Sequence, residues 1–201
     1  MNKGFCVWFT GLSASGKTTL SSLLEEELLE RGLPVEILDG SEIRERLSGD
    51  LGFSRKDRET HLRRISFVAR LLVRNGVVVL VAAAISPFQN IRDEARAEIN
   101  DYVEVYLDCP LEVCRERDSK GLYRQALAGE IQHLPGINCP YEIPEKPELV
   151  IQTHQQKPED SLAQILRVLE ILGRIPPLPS EDYTGEESEA IRKRLAALGY
   201  I

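Results

Sequence analysis

The stretch FCVWFTGLSASGKTTL, residues 5–20, decides the fold. Phe5–Phe9 is a compact run of strand-favouring residues ending at Thr10-Gly11. From Lys17 onward, Leu20, Leu23, Leu24 and Leu28 share one helical face until Gly32 and Pro34 stop it. Between strand and helix, Gly11-Leu-Ser-Ala-Ser-Gly16-Lys17-Thr18 fits G-x-x-x-x-G-K-S/T at every fixed position. Glycines let such a backbone turn tightly and approach phosphates, while successive N–H groups and the helix N-terminus face the anionic oxygens. The pattern predicts a nucleoside triphosphate site built from Gly11, Ser13, Ala14, Ser15, Gly16 and Thr19. Lys17 is expected to reach the β- and γ-phosphates, and the Thr18 hydroxyl to bind Mg²⁺. Which reaction follows is not specified by the motif.

Outward from this loop, short apolar runs alternate with helical stretches. Val35–Leu38 reads as a second strand, followed by helix near Glu42–Leu47 and a longer one near Lys56–Asn75 that ends on Gly76. Val77–Ala84 is apolar at every residue, which suits a strand buried on both faces. Ile91–Ile99 reads as helix, Tyr102–Leu107 as strand, Pro110 to about Arg117 as helix, Leu149–Gln152 as a last strand and Pro158–Leu172 as a last amphipathic helix. This order predicts an α/β fold, a five-stranded parallel sheet with helices on both faces and its ligand at the carboxyl ends of the strands. The loop-like stretch 119–147, rich in Gly and Pro, is too long for an ordinary connection and is expected to be a lid. A domain over residues 1–174 is then followed by a proline-led acidic tail, 175–201, in which Glu186–Leu198 is able to form a short helix with Ile191, Leu195 and Leu198 on one side. The expectation is a tail packed weakly on its own domain, in preference to an arm on a second subunit.

Composition excludes several classes. The chain has 201 residues, 25 basic and 32 acidic, for a net charge of −7, against a general nucleic-acid binder. The four cysteines form no C-x-x-C pair and no zinc spacing with the three histidines, and no secretory signal is visible. The longest apolar run, Val77 to Ile85, falls far short of a bilayer span. A reduced, cytoplasmic protein without a membrane partner is expected. No guanine-reading N-K-x-D occurs, and the size with a long lid suits a small-molecule kinase, which must close over its substrates to exclude water.

Further motifs accompany the loop: LDGSEIR (38–44), DLGFSRKDRE (50–59), ISPF (85–88), VEVYLDCPLEVCRERDSKGLYRQA (103–126), AGEI (128–131) and PYEIPEKPEL (140–149). On these, over about residues 4–173, the chain resembles the adenylylsulfate kinases (APS kinases), which use ATP to phosphorylate the 3′-hydroxyl of adenosine 5′-phosphosulfate. The resemblance implies a P-loop kinase fold, ATP with Mg²⁺ and commonly a homodimer. It implies that Asp39 is catalytic or metal-associated, that Arg44 and Arg58 hold the phosphosulfate, and that Phe53 stacks on the substrate adenine. It places Ser86 and Phe88 at the substrate pocket, Arg117 at the ATP base, and Lys120 on the substrates as the lid arrives. Seven basic residues against two acidic ones within 54–74 fit attraction of a small anionic nucleotide.

The chain also departs from the family pattern. Ser41 stands where a second carboxylate is usual, His61 where a substrate-contacting asparagine is usual, and Leu134 where the second ring of an adenine sandwich is usual. Three readings therefore stand side by side: an APS kinase with a divergent pocket, which is the one expected; a same-fold kinase for another small anionic hydroxyl compound; and a nucleotide-binding regulatory module with weak catalysis.

Overall fold

Every residue of β1 (Cys6–Thr10) is buried, because helices cover the sheet on both sides. The structure, a computed structural model, describes residues 3–82, 86–177 and 185–201. With β2 (Val35–Leu38), β3 (Val78–Val81), β4 (Tyr102–Asp108) and β5 (Leu149–Gln152), β1 forms one five-stranded sheet in the order β2-β3-β1-β4-β5. All four strand pairings are parallel, as expected from the alternation. The last two residues of the expected strand at Val77–Ala84, Ala83 and Ala84, lie outside the described residues.

The pleat divides β1 between two cores. Phe5, Val7 and Phe9 face the side covered by α1 (Lys17–Glu30) and α7 (Pro158–Ile171), where Leu20, Leu24, Leu28, Ile165 and Leu169 pack. Cys6 and Trp8 face the side covered by α3 (Arg55–Val73) and α4 (Gln89–Ile99), against Leu62, Ile65, Ala69, Ile91 and Ala95. α3 is started by Ser54, whose Oγ accepts the N–H of Asp57 at 3.2 Å. The positive φ of 86° at Gly76 turns the chain out of that helix toward β3.

Two regions differ from the sequence reading. The stretch 119–147 is not wholly loop: it contains α6 (Leu122–Leu127), whose Tyr123 and Ala126 pack with Leu134, Cys109 and Cys114 in a third small cluster. Its start is set by the Asp118 carboxylate, which accepts the N–H groups of Leu122 and Tyr123 at 2.9 and 2.8 Å. The surrounding Gly and Pro residues hid a six-residue helix whose cap lies upstream of its first turn. The C-terminal helix α8 (Gly185–Ala197) buries Leu195 completely and Ile191 nearly so in the α1–α7 core, with Leu198 half-buried. Residues 178–184, which hold part of the proline-led and acidic run, lie outside the described residues. No helix among the described residues is long and apolar enough to cross a membrane.

Candidate active site

The chain leaves β1 toward β2 on one side and later returns to build β4 on the other. The carboxyl end of β1 is therefore a switch point of the kind that opens a ligand crevice. The phosphate loop occupies it. Gly11 sits at φ 150°, where a Cβ would meet Ser15 Oγ at 2.7 Å and the Leu107 carbonyl oxygen at 2.8 Å. Gly16, at φ 107°, is the N-cap of α1 and lends it no side-chain hydrogen bond, so the first-turn N–H groups gain nothing from that cap. Added bulk at Gly16 would meet only Thr153 Cγ2 at 3.9 Å, which leaves the backbone there open to approach. Ser15, within the loop, is fully buried, and its Oγ has no hydrogen-bond partner among the described residues.

In front of the loop lies a cavity of about 1200 Å³. It brings together Ser13, Ala14, Gly16, Lys17, Thr18, Thr19, Asp39, Arg44, Phe53, Arg58, His61, Arg117, Lys120 and Leu134, from three helices and five connecting segments of the chain. Lys17 Nζ donates to the carbonyls of Gly11 and Leu12 at 2.9 and 2.7 Å. Burial pulls its ammonium down to about 8, with Cys114 and Asp39 opposing that shift. Asp39 is the N-cap of α2 (Gly40–Ser48), its carboxylate accepting the Gly40 N–H.

At the other end of the cavity, two guanidinium groups stand over one exposed ring. Arg44 Cζ is 4.7 Å and Arg58 Cζ 5.5 Å from the centroid of Phe53. Arg44 also donates to the carbonyls of Leu51 and Gly52, and Arg58 reaches across to the His133 carbonyl at 2.6 Å. That last bond ties α3 to the 119–147 stretch.

His61 is buried, with Nδ1 2.9 Å from the Ser48 hydroxyl. Burial, then the charges of Arg44, Arg58 and Arg64, lower its pKa to about 4, so at neutral pH it offers a hydrogen bond and no charge. A base depressed in the fold stabilises above its unfolded pKa, and that contribution is lost as pH falls toward about 4. Urea titrations at pH 7 and pH 5 should show His61 costing about 2 kcal/mol of stability over that interval, a loss that His61→Asn removes.

Two expected pocket residues are not brought to the cavity. Ser86 is fully buried: its hydroxyl accepts Trp8 Nε1–H at 3.0 Å and donates to Thr10 Oγ1 at 3.1 Å, and Thr10 Oγ1 is 2.9 Å from the Tyr141 hydroxyl. Phe88 packs in the α3–α4 core under the Arg55 guanidinium. The residue after a buried strand turns inward here because Trp8 needs an acceptor. Conversely, Thr153 had no reading as a loose position after β5, yet its Oγ1 donates to the Ser15 carbonyl at 2.9 Å and its own carbonyl accepts from Arg117 at 3.0 Å. Its place just past a strand end was the available signal. Tyr123, from the KGLY segment, donates its hydroxyl to the Ser13 carbonyl at 2.9 Å and so fastens α6 to the phosphate loop.

A parallel sheet with this loop at its switch point, a covering segment and a cation-rich second compartment defines a P-loop kinase of the small-molecule type. The profile of the adenylylsulphate kinase family matches residues 3–152. The chain is 52% identical over 167 residues to an adenylyl-sulfate kinase of Synechococcus sp. (strain JA-3-3Ab), covering 83% of this chain and 94% of that one. It is 54% identical over 173 residues to a probable bifunctional SAT/APS kinase of Sorangium cellulosum, 86% of this chain but only 30% of that protein's length. Among solved structures, the Mycobacterium tuberculosis APS kinase in complex with AMPPNP and APS is similar at a TM-score of 0.80 and 43% identity, covering 85% of this chain and 99% of that one. The chain belongs to the adenylylsulphate kinase family and is an ATP-using kinase.

Proposed function

We propose that the chain transfers the γ-phosphoryl group of ATP to the 3′-hydroxyl of adenosine 5′-phosphosulfate, giving 3′-phosphoadenosine 5′-phosphosulfate and ADP. The observation that carries this is the single cavity with a phosphate loop at one end and the Arg44–Phe53–Arg58 group at the other. A ring beside two guanidinium groups suits a ligand that joins a flat base to adjacent oxyanions. The relative whose structure holds AMPPNP and APS supports the same pairing of ligands.

The residues present fit a nucleoside triphosphate and Mg²⁺. The loop offers a helix start without a side-chain cap, an open backbone at Gly16 and a buried Ser15 hydroxyl with no partner among the described residues. For the cation, the cavity offers the Thr18 hydroxyl and the Asp39 carboxylate, and no cluster of three or more His, Cys, Asp or Glu side chains is found among the described residues. That sparse donor set suits an ion that keeps waters and takes phosphate oxygens as ligands. When bound, Mg²⁺ supplies charge neutralisation at the β- and γ-phosphates.

Lys17 exchanges its two carbonyl acceptors for phosphate oxygens, whose approach favours its charged form. Asp39 orients the acceptor hydroxyl in line, which matters more than base strength because the transition state is loose. Arg44 and Arg58 hold the phosphosulfate, His61 and Leu134 border the base, Arg117 covers the ATP base, and Lys120 arrives with the 119–147 lid. A cytoplasmic homodimer that binds neither nucleic acid nor membrane completes the reading.

The test is ADP release with Mg-ATP and adenosine 5′-phosphosulfate, beside a panel of other hydroxylated anionic metabolites. Turnover with the phosphosulfate is expected. Turnover only with another acceptor would overturn the assignment in favour of a divergent kinase, and ATP binding with no turnover on any acceptor would favour a regulatory module.

A further inference from the structure

The family profile ends at residue 152, so α7 and α8 lie beyond it. The C-terminal segment nevertheless reaches the point where 119–147 rejoins the sheet. Arg194 Nε donates to the Pro147 carbonyl at 2.8 Å. The Tyr200 hydroxyl donates to Glu148 Oε1 at 2.5 Å. Glu148 is the residue immediately before β5 and is 1% exposed.

From Glu148 a buried polar chain runs back to the site. Arg96 holds both Glu148 oxygens, at 2.6 and 2.9 Å, and reaches Glu104 Oε2 at 3.5 Å. Glu104 pairs with Arg92 at 3.2 Å. Arg92 in turn donates to the Ser86 carbonyl at 2.6 Å and to the Glu142 carbonyl at 2.7 Å. Glu142 belongs to the covering stretch, and Ser86 leads through Thr10 to the first glycine of the phosphate loop. Two carboxylates and two guanidinium groups balance in charge along this path. Tyr200 closes its far end by filling an acceptor site on Glu148 that no other described side chain but Arg96 shares.

We propose that Tyr200 and Arg194 are positioning residues, through which the C-terminal segment fixes where the covering stretch 119–147 returns to the sheet and so how it seats over the cavity. This rests on the kinase reading above, because the covering stretch matters for capture of the acceptor. Neither residue touches the cavity, so the effect is expected on substrate capture more than on the chemical step.

The chain carries its own reporter. Trp8 is the sole tryptophan; it donates to Ser86 and its ring lies 5.7 Å from that of Tyr102, tilted by 35°, with the Arg96 guanidinium 4.7 Å over the Tyr102 ring. The experiment compares full-length wild type, Tyr200→Phe and, as a control on α8, Arg192→Gln at an exposed position. Three quantities are read: Trp8 emission, the rate of tryptic cleavage at Lys120 and Arg124, and KM with kcat for the phosphosulfate. Tyr200→Phe is expected to shift the emission, speed cleavage and raise KM about fivefold with kcat within about twofold, while the control matches wild type. Unchanged emission, cleavage and KM, even with a lower melting temperature, would overturn the proposal and leave a merely structural contact. A shift in emission or cleavage with KM unchanged would overturn the link to the site. If Tyr200→Phe does not fold, Arg194→Gln, which loses the Pro147 hydrogen bond and a positive charge beside Glu148, carries the same expectations. A wild type that never turns over the phosphosulfate would fail the kinase reading instead, and cleavage and emission would then decide the positioning role alone.

Discussion

Lys17→Met is expected to lose about 10²–10³ in kcat/KM, the scale seen when one preorganised donor is removed from a charged transition state. The same variant should melt at or above the wild-type temperature. Burial holds the Lys17 pKa at about 8, well below that of a free lysine, so at neutral pH the fold bears the cost of a desolvated ammonium. The sign follows from that shift: the cost is full below the folded value of about 8 and disappears as pH rises above the unfolded one. Phosphates reverse the balance, because they bind the protonated form. ATP affinity of the wild type should therefore weaken about fivefold between pH 8 and pH 9, and that of Lys17→Met should stay flat. Calorimetric titration across this range together with a thermal melt separates the two effects. A variant that kept wild-type turnover, or a wild-type affinity flat across pH 8, would overturn this role for Lys17.

Arg92→Met should destabilise the chain by about 3–5 kcal/mol, the range for removing one partner of a buried ion pair. Arg92 and Glu104 are 1% and 2% exposed, and burial already raises the Glu104 pKa against the pull of Arg92 and Arg96. Without Arg92, the carboxylate retains among the described side chains only the 3.5 Å contact to Arg96, and the carbonyls of Ser86 and Glu142 lose that donor. At this chain length the melting temperature should fall by roughly 10 °C. The double variant Arg92→Met/Glu104→Met should recover much of the loss, because the cost lies in the orphaned charge more than in the missing attraction. A single-variant loss below about 1 kcal/mol would mean that water or Arg96 satisfies Glu104.

These two residues differ in how far the sequence announces them. Lys17 sits in a motif whose spacing is itself the geometry: loop, glycines and helix start are contiguous, so local chemistry fixes the phosphate cradle. Arg92 reads only as one charge on an amphipathic helix, and Glu104 as an odd charge within an apolar strand. Their meeting depends on α4 packing across the sheet, which no local pattern states. The conflict at Glu104, a carboxylate in a strand covered on both faces, was the one local hint.

The site divides in the same way. Lys17 and Thr18, expected from the loop motif, Asp39, expected past a strand end, and Arg44 and Arg58, expected from the family resemblance, all line one cavity. Ser86 and Phe88 follow a strand end as well, yet they turn inward, one to satisfy Trp8 and the other to fill the α3–α4 core. Leu134 lines the cavity while also packing with Tyr123 and Ala126, so it replaces a ring and holds its own segment together.

By itself the sequence determined the parallel order of strand and helix, the phosphate loop and the family, because each is written in contiguous residues and in the period of the apolar pattern. The tertiary structure decided which charges are buried, that Ser86 serves Trp8, and that a tail reading as loose and acidic seats Leu195 in the core and closes its hydroxyl on Glu148. Those outcomes rest on contacts between residues far apart in the chain, where burial turns an ordinary side chain into an obligatory partner.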